Sequence, residues 1–221
     1  MNRRVLAAAL AFAIAAGGAS LALGQGMPTA SKDASTAPAG TYVLDPMHCS
    51  VIARATHMGL SHFAVRFDTV DASFTYDPAH PAASQVTAVI DANSLDVGTQ
   101  VLTDPKTNTS QTLNHHFVTE RDLAGGSKTG KITFVSTAIH SDGDNKGTMS
   151  GNLTLNGVTK PVTFDVTFNG TMAMGPQQRM GFSAMSTIKR SDFGILAMAP
   201  ATVISDDVSL HIEAEFVRKA G

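Results

Sequence analysis

Residues 148–168, with the sequence TMSGNLTLNGVTKPVTFDVTF, contain two runs in which every second residue is apolar, joined by Asn156-Gly157. An Asn-Gly pair tolerates positive φ angles at both positions, as the two-residue turn of a β-hairpin requires. This turn predicts that Leu155 pairs with Val158, and every further pair then follows by counting outward. The register collects the apolar residues on one face, where Lys160 is the only charge. The segment therefore predicts a tight antiparallel hairpin with one apolar side and one wet side.

The same alternation recurs in runs bounded by Gly, Pro, Asn and Asp, as expected of half-buried strands. Residues 42–44 predict a short edge strand, which a turn at Asp45-Pro46 separates from the first full strand. Only residues 95–126 break the alternation for long, with a short helix expected near residues 110–118. The full strands are predicted at residues 49–57, 65–76, 85–91, 131–138, 148–155, 158–168, 180–188 and 207–217.

Antiparallel strands leave exposed edges unless the sheet closes, and about eight strands is the size at which a barrel can hold one small ligand. No long amphipathic helix competes with this interpretation. We therefore predict an all-β fold, an eight-stranded antiparallel barrel with one long irregular or short-helical connection.

The first part of the chain has a different composition. Residues 1–24 predict a signal peptide, with two arginines, a short apolar core and a small-residue cleavage pattern, so the protein is expected to be exported. Residues 25–40 are rich in small and polar residues and predict a flexible linker, which leaves residues 41–221 as the barrel domain. The net charge of -2 gives no electrostatic footprint for nucleic acid. Cys49 is the only cysteine, so the domain has no internal disulfide.

The predicted inward positions mix small and large residues. If the small ones lie at one level of the barrel, they leave an elongated apolar cavity, which is the alternative we favour. If small and large residues alternate around the barrel, they fill it instead. The predicted apolar ligand contacts are Phe74, Phe134, Phe164, Phe182 and Phe216, and the small inward residues are Ala53, Ala55, Ala72, Ala88, Ala138, Gly151, Ala184 and Ala214.

Three basic residues near strand ends occupy positions that the alternation places on the inward face. They are His57, Lys160 and Arg190. As a hypothesis, they pair with a phosphate or carboxylate head group of a ligand. In the alternative, the stems of Lys160 and Arg190 cover apolar surface while their charges reach water, and His57 is a hydrogen-bonded rim histidine.

Motifs for catalysis are absent from the sequence: it contains no G-x-S-x-G elbow, no phosphate-binding Gly loop, no H-E-x-x-H and no paired cysteines. We therefore predict no enzyme activity and no cofactor. His48, His57 and His62 lie close together in the sequence, and His115-His116 could join them, but this spacing matches no compact zinc pattern. No metal site is predicted.

Four motifs of the sequence resemble those of the YceI-like family of exported bacterial proteins. The resemblance runs in order over nearly the whole mature chain and implies a lipocalin-like barrel that holds a long isoprenoid, or a related fatty acid or fatty amide. It also implies a periplasmic protein without established catalytic activity, associated with isoprenoid-quinone metabolism or transport and with stress response; some members are encoded beside a membrane cytochrome b. The motifs are YVLDPMH at 42–48, HMGLS at 57–61, GNLTLNGVTKPV at 151–162 and RSDFGI at 190–195.

The sequence departs from the family pattern in three places. Cys49 stands where Ser is usual, and Ala53 and Ala55 replace bulkier residues, which widens the expected cavity. Residues 99–131 lack the usual acidic and aromatic run, so the cap of the barrel and the identity of the ligand are open.

The leading hypothesis is a non-enzymatic periplasmic carrier for a long-chain isoprenoid or similar lipid. The alternative is a redox- or metal-linked accessory protein that handles a quinone or haem beside a membrane cytochrome. An enzyme on the same barrel is a third class without a motif behind it. Pairing of the final strand across an open edge would permit a homodimer.

Overall fold

The computed structural model describes residues 29–120, 122, 124–195 and 200–220. The predicted signal peptide, residues 1–24, lies outside the described residues and stays a prediction.

Strands dominate the described chain, and every strand pair is antiparallel. The strands are β1 (Gly40–His57), β2 (Ser61–Phe67), β3 (Val70–Tyr76), β4 (Gln85–Asp91), β5 (Leu95–Asp96), β6 (Val101–Thr103), β7 (Ser110–Thr112), β8 (Lys131–Gly143), β9 (Lys146–Leu155), β10 (Val158–Met174), β11 (Gln177–Lys189) and β12 (Ile204–Arg218). The helical segments are short: α1 (Leu113–His115), which continues as a π-helical turn at His116–Glu120, α2 (Gly126–Thr129), and 3-10 turns at Ala34–Thr36, Pro81–Ala83, Ala92–Ser94 and Arg190–Phe193.

The sheet closes on itself through β1. On one side β1 pairs with β12, from Tyr42 opposite Arg218 to His57 opposite Ile204. On its other side β3 pairs with the first part of β1 and β2 with the last part, so β2 and β3 form one broken strand. β4 pairs with β3 and β5 pairs with β2, so β4 and β5 form the next broken strand of the barrel. Counted in this way the barrel has eight strands, and the predicted closed antiparallel fold is confirmed.

The β9–β10 hairpin has the register that the sequence predicts. Leu155 lies opposite Val158, Gly151 opposite Val162 and Met149 opposite Phe164. Asn156 and Gly157 have φ angles of 53° and 74°, as the turn requires. On the wet face the hydroxyls of paired Thr and Ser residues contact each other at 2.7 and 2.8 Å. Turn chemistry and alternation therefore suffice to define this hairpin.

Three details of the strand prediction are wrong. The single strand predicted at residues 65–76 is divided into β2 and β3. β1 does not turn at Asp45-Pro46, because β12 continues on both sides of it and the extra residues form a bulge between Leu44 and Cys49. A bulge accommodates a proline that donates no ladder hydrogen bond. The irregular connection also contains a small hairpin, β6–β7, that the alternation pattern does not predict, whereas α1 falls within the predicted helical region.

The predicted flexible linker, residues 25–40, packs against the barrel where the structure describes it. Ser31 forms a bridge with Thr171, and the side chain of Ala37 is 1% exposed. The hydroxyls of Tyr42 and Tyr76 donate 2.8 Å hydrogen bonds to the carbonyls of Pro38 and Ala34. Small residues allow this close approach, so the segment covers the end of the barrel at Tyr42 and Tyr76. We call this end the base of the barrel.

Gly151→Ala is expected to destabilise the fold by roughly 1–3 kcal/mol, the usual cost of overpacking. A Cβ at this position would collide with the Phe134 ring and lie 2.5 Å from the carbonyl oxygen of Val135. The free energy of unfolding in urea tests this. Asn152→Ala is the control, because Asn152 is exposed on the opposite face; equal effects from both substitutions would contradict the packing argument.

Candidate ligand-binding cavity

The barrel encloses one long cavity of about 840 Å³. This volume lies in the upper part of the range for small-molecule sites, about 300–1,000 Å³. Alternate residues of β12 line it from Val208 to Phe216, a distance along the strand of about 26 Å at a rise of ~3.3 Å per residue. The cavity is therefore elongated along the barrel, as a linear ligand requires.

Small side chains keep the interior open. Ala53 and Ala55 of β1 lie opposite Leu210 and Val208 of β12, so a small residue faces a larger one across this seam. The alternative, in which small and large residues alternate and fill the barrel, is wrong, because a cavity remains and alanines line it. The alanines that do so are Ala53, Ala55, Ala72, Ala88, Ala184 and Ala214. The predicted inward position of Ala138 is wrong, because a register shift after Ser136 leaves Ala138 exposed.

An aromatic cluster narrows the cavity towards the base. Phe74 stacks on Tyr42 with ring centroids 5.1 Å apart, and meets Phe216 and Phe182 edge-on at 5.0 and 5.6 Å. Tyr42 is fully buried, which fixes the floor of the cluster. Offset and edge-to-face contacts of this kind stabilise beyond the area they bury.

The other predicted phenylalanines also lie on the cavity wall. Phe134 and Phe164 meet edge-on at 5.3 Å in the middle of the barrel. Phe63 and Phe117 meet at 5.4 Å near the opposite end, where Phe117 belongs to the helical connection. This pair was not among the predicted contacts, because parity does not reveal which loop residue folds over a barrel end.

Polar groups lie at both ends of the cavity. At one end His57 and His116 contribute to the wall. At the other, β4 pairs with β8 only as far as Thr87 opposite Val135, and beyond this point β8 pairs with β9 alone. The cavity extends to this gap in the wall, where Ser84, His140, Ser141 and Lys146 line it.

Arg190 is 5% exposed and lines the cavity, as predicted, but its guanidinium binds the backbone. Its Nε donates to the carbonyl of Ser205 at 2.8 Å, and further donors reach the carbonyls of Ile204 and Ile195. Arg190 therefore joins the end of β11 to the start of β12. Nearby, the buried Asn156 side chain donates to the carbonyl of Phe193 at 2.8 Å.

Lys160 does not belong to the cavity wall, which corrects its predicted position. Its partner Leu153 points inward and is 7% exposed, whereas Lys160 is exposed. Lys160 is three residues from the Asn156-Gly157 turn, so its long side chain reaches water beyond the strand end. The structure therefore does not bring His57, Lys160 and Arg190 together as one head-group site.

Cys49 lines the cavity and is partly buried. Burial raises the pKa of its thiol, and Arg66 opposes this effect. The thiol consequently stays protonated and weakly reactive at neutral pH.

The bulge of β1 brings together a different set of side chains from the histidines considered in the sequence. Within the described residues, the metal-ligating side chains that converge are Asp45, His48 and Glu215. Arg179 Nη1 lies 2.6 Å from Asp45 Oδ2 and 3.2 Å from Glu215 Oε2, so a guanidinium already supplies the positive charge at this point. Hydrogen bonds from His48 and Arg179 lower the pKa of Asp45 to about 2. This cluster fits a network of ion pairs between neighbouring strands better than a metal centre.

A closed antiparallel barrel with an apolar cavity along its axis defines the class of this molecule. The YceI-like domain model matches residues 42–216, and the chain belongs to the YceI-like family. Among the described residues no helix is long and apolar enough to span a membrane.

Sequence and structure comparisons agree with this assignment. A UPF0312 protein of Pseudomonas aeruginosa is 35% identical over 91% of this chain and 97% of its own length. The crystal structure of Burkholderia cenocepacia BcnA matches with a TM-score of 0.62 at 25% identity, over 78% of this chain and 98% of that one. A polyisoprenoid binding domain from Saccharophagus degradans shares the fold, with a TM-score of 0.54 at 17% identity over 80% and 98% of the two chains.

Asp45→Asn is expected to lower the free energy of unfolding by about 1.5–3 kcal/mol at pH values near 5, the range for a hydrogen bond to a charged group. The folded pKa of Asp45 is about 2, below its ordinary value of 3.8. The stabilisation is therefore present above pH 3.8 and is lost as the pH falls towards about 2.

Urea titrations of wild type and variant at about pH 5 and about pH 2 test this, and the difference between them is expected to shrink in acid. Asp77→Asn is the matched control, because Asp77 lies 3.0 Å from His80 in the same spacing but is 51% exposed. A constant difference at both pH values would contradict the assignment.

Proposed function

We propose that this protein is a non-enzymatic periplasmic carrier that holds a long-chain isoprenoid, or a related amphiphilic lipid, inside its barrel. The observation that carries the proposal is the elongated cavity of about 840 Å³ with an apolar middle. A related fold in Saccharophagus degradans is described as a polyisoprenoid binding domain, and membership of the YceI-like family gives further support. Export through the predicted signal peptide is part of the proposal.

The apolar wall of the cavity suits an apolar chain. Water in an apolar hollow finds few hydrogen-bond partners, so its release favours an apolar occupant. Each buried methylene contributes roughly 0.8 kcal/mol, and micromolar binding requires about 8 kcal/mol. About ten buried methylenes therefore reach micromolar affinity before the cost of ordering the chain, and a longer chain offsets that cost.

The polar ends of the cavity suggest how an amphiphile is oriented. An apolar tail would occupy the space between Ala53 and Phe182, and a head group would lie at one of the two polar ends. Because Arg190 is bound to backbone carbonyls and Lys160 lies outside, neither serves as the strong anchor of the original hypothesis. We therefore propose that the tail supplies most of the affinity and the head group little.

Native mass spectrometry and lipid extraction of the protein purified from its host test the proposal. The expected result is a bound amphiphile of defined mass that organic solvent removes. Protein that neither retains nor takes up any amphiphile would overturn it. Metal analysis and a visible absorption spectrum of the same sample test the quinone or haem alternative.

Ala53→Phe is expected to weaken binding of a long-chain ligand by about tenfold or more, because the ring occupies the hollow and displaces buried methylenes. Displacement of a fluorescent fatty-acid probe measures this affinity. Ala64→Phe is the matched control, since Ala64 is exposed on the neighbouring strand and absent from the cavity wall.

The urea midpoint of Ala53→Phe should stay close to that of wild type, because the cavity accommodates the ring. Equal affinities of the two Phe variants would show that the ligand binds outside the barrel.

A further inference from the structure

The turn between β1 and β2 exposes two large apolar side chains. Met58 is 59% exposed and Leu60 is 84% exposed. The residues on either side of this turn, His57 and Phe63, line the cavity. We call Met58, Gly59 and Leu60 the β1–β2 tip; its apolar surface lies directly beside one end of the cavity.

The backbone holds the tip in one conformation. Leu60 N donates to the carbonyl of His57 at 2.9 Å, and Met58 N donates to the carbonyl of Val203 at 2.8 Å. Met58 and Gly59 have φ angles of 51° and 71°. Asn or Gly adopts this left-handed conformation more readily than Met, so backbone preference does not account for an exposed methionine here. Strained residues of this kind are retained where they serve a function.

The charge of the hairpin has one sign. Residues 49–67 contain no Asp or Glu, but they include Arg54 and Arg66. Of these, Arg66 is paired with Asp68 at 3.0 Å.

The carboxylates at the start of β12, which pairs with β1, are already engaged. Asp206 accepts hydrogen bonds from Ser191, and Asp207 is bound by Lys189 at 2.7 Å. An apolar tip on a hairpin without acidic residues complements an anionic lipid surface.

We propose that the β1–β2 tip docks on an anionic lipid bilayer, with Met58 and Leu60 inserted among the head groups. This inference rests on the proposed function, since it gives an apolar cargo a path from the bilayer to the cavity past His57 and Phe63. Two side chains bind a membrane weakly and reversibly, as a carrier that must leave again requires.

Flotation of the full-length mature chain with vesicles tests the proposal. Vesicles of phosphatidylcholine with phosphatidylglycerol are compared with vesicles of phosphatidylcholine alone. The expected result is binding to the anionic vesicles, and a loss of roughly tenfold or more in the variant Met58→Asn/Leu60→Ser. Asn suits the backbone of residue 58, and an unchanged urea midpoint shows that the variant folds.

The matched control is Met174→Asn/Met185→Ser, which removes two other methionines that are 52% and 51% exposed. Met174 ends β10 at the opposite end of the barrel, so this control should float as wild type does. Wild-type protein that does not bind anionic vesicles, or a tip variant that binds as well as wild type, would overturn the docking proposal.

The cargo affinity of each variant is measured separately in vesicle-free solution. Tip-dependent flotation without any cargo binding would overturn the carrier function and leave the docking surface standing. Cargo binding without flotation would overturn the docking proposal and leave the carrier function standing.

Discussion

The double pairing of β1 is the constraint on which the rest of the structure depends. β1 forms hydrogen bonds with β12 along one side and with β3 and then β2 along the other. Except at the gap between β4 and the end of β8, this arrangement removes the free edges that an antiparallel sheet would otherwise expose. It also forces the inward residues of all strands to face a common interior. Closure alone creates the space, and the sizes of the inward side chains then decide whether it is filled.

In this chain the inward side chains leave much of the space open. Alanines such as Ala53 and Ala214 take up little of the interior, while Phe74 and its aromatic neighbours narrow one end. Burial of the bulky residues supplies stability at the base and in the wall, without filling the middle. Polar groups lie at the two ends of the cavity, and Arg190 among the lining residues is bound to the backbone.

The bulge at residues 45–48 shows how charge contributes to closure. It places Asp45 beside Arg179 of β11 and Glu215 of β12, so one ion-pair network joins three strands on the outer face. Asp45 is 12% exposed, and this partial burial strengthens the pair relative to a surface ion pair. The histidine that suggested a metal in the sequence contributes a hydrogen bond to this network instead.

Local patterns predict the strands and the faces of this barrel well, and its ends poorly. Alternation and the Asn156-Gly157 turn are local, so the hairpin register and the inward position of Phe164 follow from counting. Alternation shows which face of a strand a residue lies on, but not how far along the barrel axis it lies. Alternation alone therefore places Lys160 inside, although its side chain reaches solvent at the strand end.

Contacts between residues distant in sequence are also invisible to such patterns. The Asn156 amide that binds the carbonyl of Phe193, and the segment around Ala37 that covers the base, depend on the completed fold.

The reactivity of Cys49 tests the central claim most directly, because it is the only thiol of the chain and it lines the cavity. The measurement is the rate at which a thiol reagent modifies the native protein, after removal of bound lipid, as a long-chain amphiphile is titrated. An occupied hollow should slow this reaction in a saturable manner at one equivalent. A rate that stays unchanged while the amphiphile binds would show that the chain lies elsewhere, and would contradict the account.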